Sequence, residues 1–515
     1  MVTLEHIDSR VVLAFIPIYL ATAFIRFALK CRRPEDYPPG PPTVPILGNL
    51  LDVPLVKPFL AFQSWAKTYG DVIGLKVGPM NLVVLSDPKV VRELFEKRGL
   101  KYSDRPYNYI ADEHIVPREH GYTLHIIFMK KDESWRKWRA ALVRDILLDP
   151  DHHLEHVRRW GLITPFVAVC GRRDVDEEMV QNFYETQHTW LDLLEAGKTP
   201  PVDFIPFLRW VPRFLAKWKR DATFVRVNQS AFYDELLASA RRQLAAQAAS
   251  ASTDGVNKYE SLMTKILKEG DPSEWSDKKL AYLGGGLLDA AVDTTVSTLQ
   301  TLLLAVIAHR DIQKRAQTEI DQVCGDSPPQ AEALKELPYL RACLLESMRW
   351  RPSTPMTLPH CLVEDDMFRG HIIPKGSTIL QNTWAINHNE LYYKSPDTFD
   401  PDRYLKTPSG MRPEIVKDNV EEFRRPAWVF GVGRRACPGD QFGQQAVLIA
   451  AAKLLWAFDI APAGPIDTSM EKGFCAGLVI GPEPFRASYL PRDEGRRNAV
   501  LEDEKNAEKL LDAIL

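Results

Sequence analysis

The sequence predicts a mainly α-helical chain with small β-sheets, preceded by an N-terminal transmembrane helix. Three observations predict it. Apolar residues recur at helical spacing over residues 233–248, 277–309, 311–323 and 338–350. Strand-like alternation is confined to residues 71–86 and 360–380. Residues 11–25, VVLAFIPIYLATAFI, are almost wholly apolar.

Taken in order, residues 1–30 read as a membrane anchor. Lys30, Arg32 and Arg33 follow the apolar run and Glu5 and Asp8 precede it, so the positive-inside rule leaves the rest of the chain in the cytosol. A cleaved signal peptide is the rival reading, but neither a basic n-region nor a small-x-small cleavage site is clear. Residues 31–49 form a basic, proline-rich hinge, where proline fixes φ and removes donors. Residues 50–490 form the body. It opens on a hairpin around Gly78-Pro79, followed by a helix with Pro88 near its start and Val91, Leu94 and Phe95 on one face. Residues 204–218 mix aromatics with Arg209, Arg213 and Lys217, which suits a bilayer interface. Short strands return around 371–376. Residues 491–515 are a charged tail, its end a short amphipathic helix, with no function assigned.

The 515 residues are 45% hydrophobic, enough for one large domain or two to three ordinary ones. The net charge of −3 gives no global basicity, so nucleic acid is not an expected partner. The 7 cysteines are scattered and form no C-x-x-C pair. That is neither a disulfide framework nor a zinc module, and it suits a reducing compartment. Asn228-Gln229-Ser230 is a sequon by pattern only, unused on a cytosolic face.

The chemistry concentrates in residues 430–439, FGVGRRACPG, just before a helix-like run over 444–458. Cys437 has no second cysteine nearby, whereas structural zinc takes four ligands, usually in close pairs. A lone thiolate suits the axial position of a haem. Gly433 and Gly439 let the backbone turn tightly and approach a flat cofactor. Backbone N–H groups aimed at the sulfur would tune the metal. Arg435 is close enough to pair with a cofactor carboxylate, and Phe430 would shield the sulfur. The bland alternative is a buried cysteine in an ordinary loop-to-helix turn.

The run resembles the haem-binding signature of the cytochrome P-450 superfamily, Phe-x-x-Gly-x-Arg-x-Cys-x-Gly, at every fixed position. The resemblance implies that Cys437 is the proximal ligand of a haem b iron and that Arg435 contacts a haem propionate. It implies the cytochrome P-450 fold for residues 50–490. It also reads the proline-rich stretch as the hinge that orients microsomal members against the bilayer, and residues 204–218 as the part that dips toward the membrane.

Three more motifs match. Glu346 and Arg349 stand at i and i+3 on a helix and can pair. The family joins such a pair to an arginine from a Pro-x-Arg segment, here Arg403, with Tyr404 where phenylalanine is common. Its role is a structural brace for the cysteine loop. His360, eleven residues past Arg349, matches a position that contacts a propionate. Trp135 and Arg139 lie one helical turn apart and match a second propionate contact through indole N–H and guanidinium. Arg136 and Lys137 would face outward, toward an acidic partner. Last, Ala290-Ala291-Val292-Asp293-Thr294-Thr295 places an acid beside a hydroxyl in mid-helix, a poor choice for helix stability. In the family this pair lies over the distal face and delivers protons for O–O cleavage, which assigns acid–base work to Asp293 and Thr294. The family usually has glycine where Ala291 stands, and a methyl there narrows the groove. The run Gly284-Gly285-Gly286 is expected to loosen the helix locally.

The resemblance, closest in style to fungal microsomal members, implies a haem-dependent monooxygenase that inserts one oxygen atom from O2 into a lipophilic small molecule. Many such members tailor secondary metabolites. Electrons would come from a separate NADPH-dependent flavoprotein reductase, since no nucleotide-binding fingerprint is present. The expected location is the endoplasmic reticulum membrane, single-pass, body facing the cytosol. The substrate pocket is expected near residues 107–128, 283–293, 353–358 and 474–478, with Leu287, Met356, Leu358 and Phe474 apolar. Two alternatives stand beside this: a haem-thiolate isomerase or dehydratase that does not use the reductase, and a non-catalytic haem or lipophile carrier.

Overall fold

The computed structural model describes residues 9–116, 118–119, 122–123, 152–172, 175–195, 197–250, 260–270, 275–417 and 427–514. The chain is mainly helical with small sheets, as expected, and divides into two compact units.

The smaller unit comprises residues 1–107, 201–210 and 356–385. It holds helices α1 (Ser9–Lys30) and α2 (Pro58–Tyr69) and a four-stranded sheet. Its strands are β1 (Val72–Val77), β2 (Met80–Leu85), β3 (His360–Cys361) and β4 (Thr378–Gln381), in the order β1-β2-β4-β3. β1 and β2 form the expected hairpin, with Ile73 opposite Val84. Gly78 takes φ +55° at its turn. All six residues of β1 are buried, so both faces of the strand are covered. Buried Lys76 satisfies its ammonium on Pro79 O at 3.0 Å and Asn81 Oδ1 at 2.8 Å. The proline-rich stretch lies strapped to this sheet. Gly74 N donates to Pro39 O at 2.8 Å, Tyr37 Oη to Leu82 O at 3.1 Å, and Arg33 Nη2 to Gly74 O at 3.1 Å. A Cβ on Gly40 would stand 2.3 Å from Gly74 O, so glycine is required at this crossing.

The larger unit comprises residues 108–200, 211–355 and 386–515. Its longer helices are α3 (His153–Cys170), α4 (Glu177–Leu194), α5 (Lys217–Ser250), α6 (Leu262–Glu269), α7 (Asp277–Ala308), α8 (Arg310–Cys324), α9 (Pro338–Trp350), α10 (Asp440–Ala457) and α11 (Glu494–Ile514). Strands β5 (Phe458–Pro462) and β6 (Ala487–Pro491) pair antiparallel. α7 is the axis: α3, α5, α8, α9 and α10 all pack on it. Its start is fixed by Ser276, whose hydroxyl accepts from Lys279 N at 3.2 Å. It is long and apolar enough to cross a membrane by length and composition, yet it is largely buried inside the unit as a core helix.

Two of the three glycines of α7, Gly284 and Gly285, lie under crossing helices. A Cβ on Gly285 would fall 2.0 Å from the Tyr233 ring of α5, and one on Gly284 would fall 2.7 Å from Met263 Sδ of α6. They are seats for crossing helices, and the close packing offsets their conformational cost. The tail is seated as well. Arg492 and Arg496 pair with Asp321 of α8, and Lys453 of α10 pairs with Asp503.

Candidate functional site

The segment from Trp428 to Cys437 folds back on itself. Cys437 N donates to Phe430 O at 2.8 Å, Gly431 N to Trp428 O at 3.0 Å and Ala436 N to Gly433 O at 3.2 Å. Gly431 and Gly433 take φ +63° and +70°, which side chains rarely adopt. Gly439 has φ −90°, so its role is not a left-handed turn. It precedes α10 directly, and a Cβ there would meet Cys437 Sγ at 3.8 Å, an ordinary contact. Trp428 and Val432 are buried and anchor the loop, Phe430 is half-buried, and Arg435 and Cys437 are exposed. The thiol therefore stands just ahead of the N-terminus of α10, whose positive pole favours the thiolate.

Glu346 and Arg349 sit on α9, and Arg403 follows Pro401; all three are buried. Arg349 donates from Nε to Glu346 Oε2 at 2.8 Å and from Nη2 to Oε1 at 2.7 Å. Arg403 Nε donates to the same Oε1 at 3.2 Å, as does Asp400 N at 2.9 Å. The remaining guanidinium donors reach backbone carbonyls of Asn387, Lys394, Ser395 and Thr398. One buried carboxylate thus serves two buried cations, and the charges are matched by hydrogen bonds as burial requires. The Tyr393 ring lies 5.4 Å from the Arg349 guanidinium and contacts Trp428 at the base of the cysteine loop.

Asp293 and Thr294 lie on α7 in the same unit. Nearly every residue of α7 from Leu280 to Ile307 is buried; the half-buried exceptions are Ala290, Ala291, Asp293, Thr294 and Thr298. At 100° per residue these fall on one face. Thr294 Oγ1 donates to Ala290 O at 2.8 Å, so the hydroxyl is held on that face. Ser297 ties α7 to Ile480 O, and Ile480 N donates to Ser353 O at 2.8 Å. Burial pushes the Asp293 carboxyl up to about 6; the Gln187 amide and Arg158 oppose this, and Asp289 adds to it.

That shift carries a stability prediction. Native Asp293 holds its proton more tightly than the unfolded chain does, so its contribution is present at low pH and is lost as pH rises from about 4 through 6. A rise from 3.8 to about 6 corresponds to up to about 3 kcal/mol. Urea midpoints at about pH 4 and pH 7 are expected to fall more for the parent protein than for Asp293→Asn. Parallel slopes would show that Asp293 titrates normally.

His360 belongs to the smaller unit. Its Nδ1 lies 2.7 Å from Tyr102 O, and its ring stacks on Phe95 at 4.1 Å. Trp135 and Arg139 lie outside the described residues. Of the expected pocket residues, Leu287 and Phe474 are buried in the larger unit and Leu358 is exposed. Met356 packs against the smaller unit's core around Ile73 and Leu75. Sequence reasoning missed Gly431, although it stands in the same loop, and the side chains behind Asp293: Gln187, Asp289 and Tyr233.

These residues fit a haem. Among the described residues no cluster of three or more His, Cys, Asp and Glu gathers to hold a metal; a lone thiolate suits the axial position of a haem. A half-open face on a buried helix, in the unit that carries an exposed thiol, suits a flat apolar group better than close-packed core.

Comparison with known proteins agrees. The cytochrome P-450 family profile matches residues 38–160 and 165–489. The chain is 30% identical to the cytochrome P-450 monooxygenase yanC of Aspergillus niger, covering 98% of each chain. It is 32% identical to the monooxygenase atE of Aspergillus terreus, over 93% of this chain and 92% of that one. It is also 32% identical to fogE of Aspergillus ruber, over 97% and 95%. With its thiol loop, its matched length and its relatives all in agreement, the chain belongs to the cytochrome P-450 family.

Proposed function

We propose that this monooxygenase is anchored by α1 in the endoplasmic reticulum membrane with its body in the cytosol. It takes electrons from a separate NADPH-dependent flavoprotein reductase and oxidises a lipophilic small molecule, in fungal secondary metabolism. The observation that carries the reading is the pairing, within one unit, of the exposed Cys437 thiol with the half-open α7 face bearing Asp293 and Thr294.

A haem bound on the Cys437 thiolate supplies the reductive activation of O2 and the insertion of one oxygen atom. The chain's own groups do the rest. The folded loop presents the sulfur, and Phe430 limits water beside it. Arg435, with Trp135 and Arg139, would hold the cofactor's carboxylates. The brace of Glu346, Arg349 and Arg403 supports the loop from behind. Asp293, its carboxyl pushed up to about 6, can take up and give up a proton near neutral pH, and the Thr294 hydroxyl relays it on the half-open face. Exposed Phe207, Trp210, Phe214 and Leu215, interleaved with Arg209 and Arg213, support a membrane-facing segment.

Thr294→Ala is expected to keep NADPH consumption while product per NADPH falls on the order of 10²-fold, the span of a general acid–base group. Unchanged coupling would remove Thr294 from proton delivery. The wider reading is tested by NADPH-driven O2 uptake with and without the reductase, alongside metabolite profiling with and without the enzyme. Turnover without reductase would favour an isomerase or dehydratase instead.

A further inference from the structure

At 100° per residue Ser297 falls between Asp293 and Thr294 on the half-open stripe of α7. It is nevertheless only 5% exposed, and Thr301, one turn further along the same stripe, is 1% exposed. The half-open stretch is therefore closed at its C-terminal end. What closes it at Ser297 is the hairpin of residues 474–482. Ser297 Oγ donates to Ile480 O. Gly481 comes so close that a Cβ there would stand 3.1 Å from Ser297 Oγ and 3.7 Å from Gln300 Oε1.

The hairpin is tied on itself and on both sides. Phe474 bridges to Pro482, Cys475 N donates to Gly481 O at 3.0 Å, and Gly481 N donates to Cys475 Sγ at 3.2 Å. Its tip turns at Gly477, with φ +150°, and carries Leu478 and Val479, both half-buried. Away from α7, Ile480 N donates to Ser353 O at 2.8 Å, and Thr354 Oγ1 donates to Val429 O at 3.4 Å, in the segment that leads to Cys437. Ile480 thus uses both of its backbone groups to join α7 to residues that reach the thiol loop.

A short isolated hairpin is marginally stable, so its place is set by what it is tied to. The hydroxyls of α7 differ in this respect. Thr294 and Thr298 donate back to carbonyls of their own helix, at 2.8 and 2.7 Å. Ser297 donates outward, to another segment, where the bond is buried and its loss is not neutral.

We propose that Ser297 is the positioning residue for an end wall on the ligand side: its hydroxyl pins the 474–482 hairpin against α7 within one turn of Thr294, and so sets the length of apolar ligand that fits along the half-open face. Leu478 and Val479 make the tip of that wall apolar, which suits an extended hydrocarbon chain. The proposal rests on the reading of the α7 face as the ligand side of a haem held by Cys437.

The test is titration of the full-length holoprotein with imidazole and with N-alkylimidazoles of increasing chain length, followed by the Soret shift that an azole nitrogen causes on binding iron. In the parent, affinity is expected to rise with each methylene until the chain meets the hairpin, and to fall beyond that break. In Ser297→Ala the break is expected to move to longer chains. Chains past the parent's break should bind several-fold tighter than they bind the parent, with imidazole itself unchanged. Ser297→Cys, whose thiol still donates weakly, should fall between the two. A loss of stability alone would lower the thermal midpoint and leave the break in place. Where Ser297→Ala fails to take up haem, Gly481→Ala decides, because its methyl pushes the hairpin off Ser297 and should move the break the same way. A parent without a break, or a break that stays in place in the deciding variant, overturns the proposal. So does failure of both variants to take up haem, since the contact would then serve folding alone. Failure of the underlying reading shows differently: imidazole would cause no Soret shift in the parent.

Discussion

Replacing Glu346 with alanine is expected to destabilise the larger unit by about 3–5 kcal/mol, because it leaves Arg349 and Arg403 buried with no countercharge. The whole native state is stable by only about 5–15 kcal/mol, so the loss consumes a large share of it. The carboxylate does three things at once. It accepts twice from Arg349, once from Arg403 and once from the backbone N–H of Asp400. Alanine removes all four bonds at a site that is fully buried in the native chain. The effect should reach the cysteine loop through Tyr393 and Trp428, so haem content per protein is expected to fall together with the thermal midpoint. Glu346→Gln keeps the shape and some of the hydrogen bonds but not the charge, and should fall between parent and alanine. A Glu346→Ala protein within about 1 kcal/mol of the parent, the range of an exposed ion pair, would show that the triad is not a brace.

Much of this architecture was legible in the sequence because it rests on local rules. The helix over 338–350 matches α9 residue for residue, since Pro338 opens it and its apolar spacing is regular. The hairpin at Gly78 was equally plain. α5 runs 34 residues, from Lys217, well before the expected start at 233. The aromatic and basic pattern there reads as an interface, although Trp218, Ala222 and Val225 form a buried stripe at helical spacing. Long-range pairing stayed hidden. Nothing in the neighbourhood of Gln187 announces that its amide reaches a helix 102 residues away. The glycines of α7 read as flexibility because a sequence shows missing side chains but not the Tyr233 and Met263 that fill their place. Gly439 does stand in a turn, just ahead of α10, but with φ −90°, which does not by itself require glycine. The Glu346–Arg349 pair was readable because an i, i+3 ion pair needs fixed residue types at fixed spacing.

The second large effect concerns the thiol itself. Cys437 is exposed at the end of a loop closed by its own backbone N–H on Phe430 O, just ahead of a helix N-terminus. Serine fits the same space and keeps that hydrogen bond, so the loop is expected to survive the substitution. What is lost is a soft, easily ionised ligand, since an alkoxide is not available near neutral pH while a thiolate is. Activity is expected to fall below detection even where the protein still folds. The most direct measurement is the absorption spectrum of the reduced, carbon-monoxide-bound protein, taken on the parent and on Cys437→Ser at equal haem content. The parent is expected to show the red-shifted Soret band of a thiolate-ligated haem and the serine variant to lack it. A serine variant that keeps the band, or a parent that never shows it with haem bound, would contradict the assignment of Cys437 as the iron ligand.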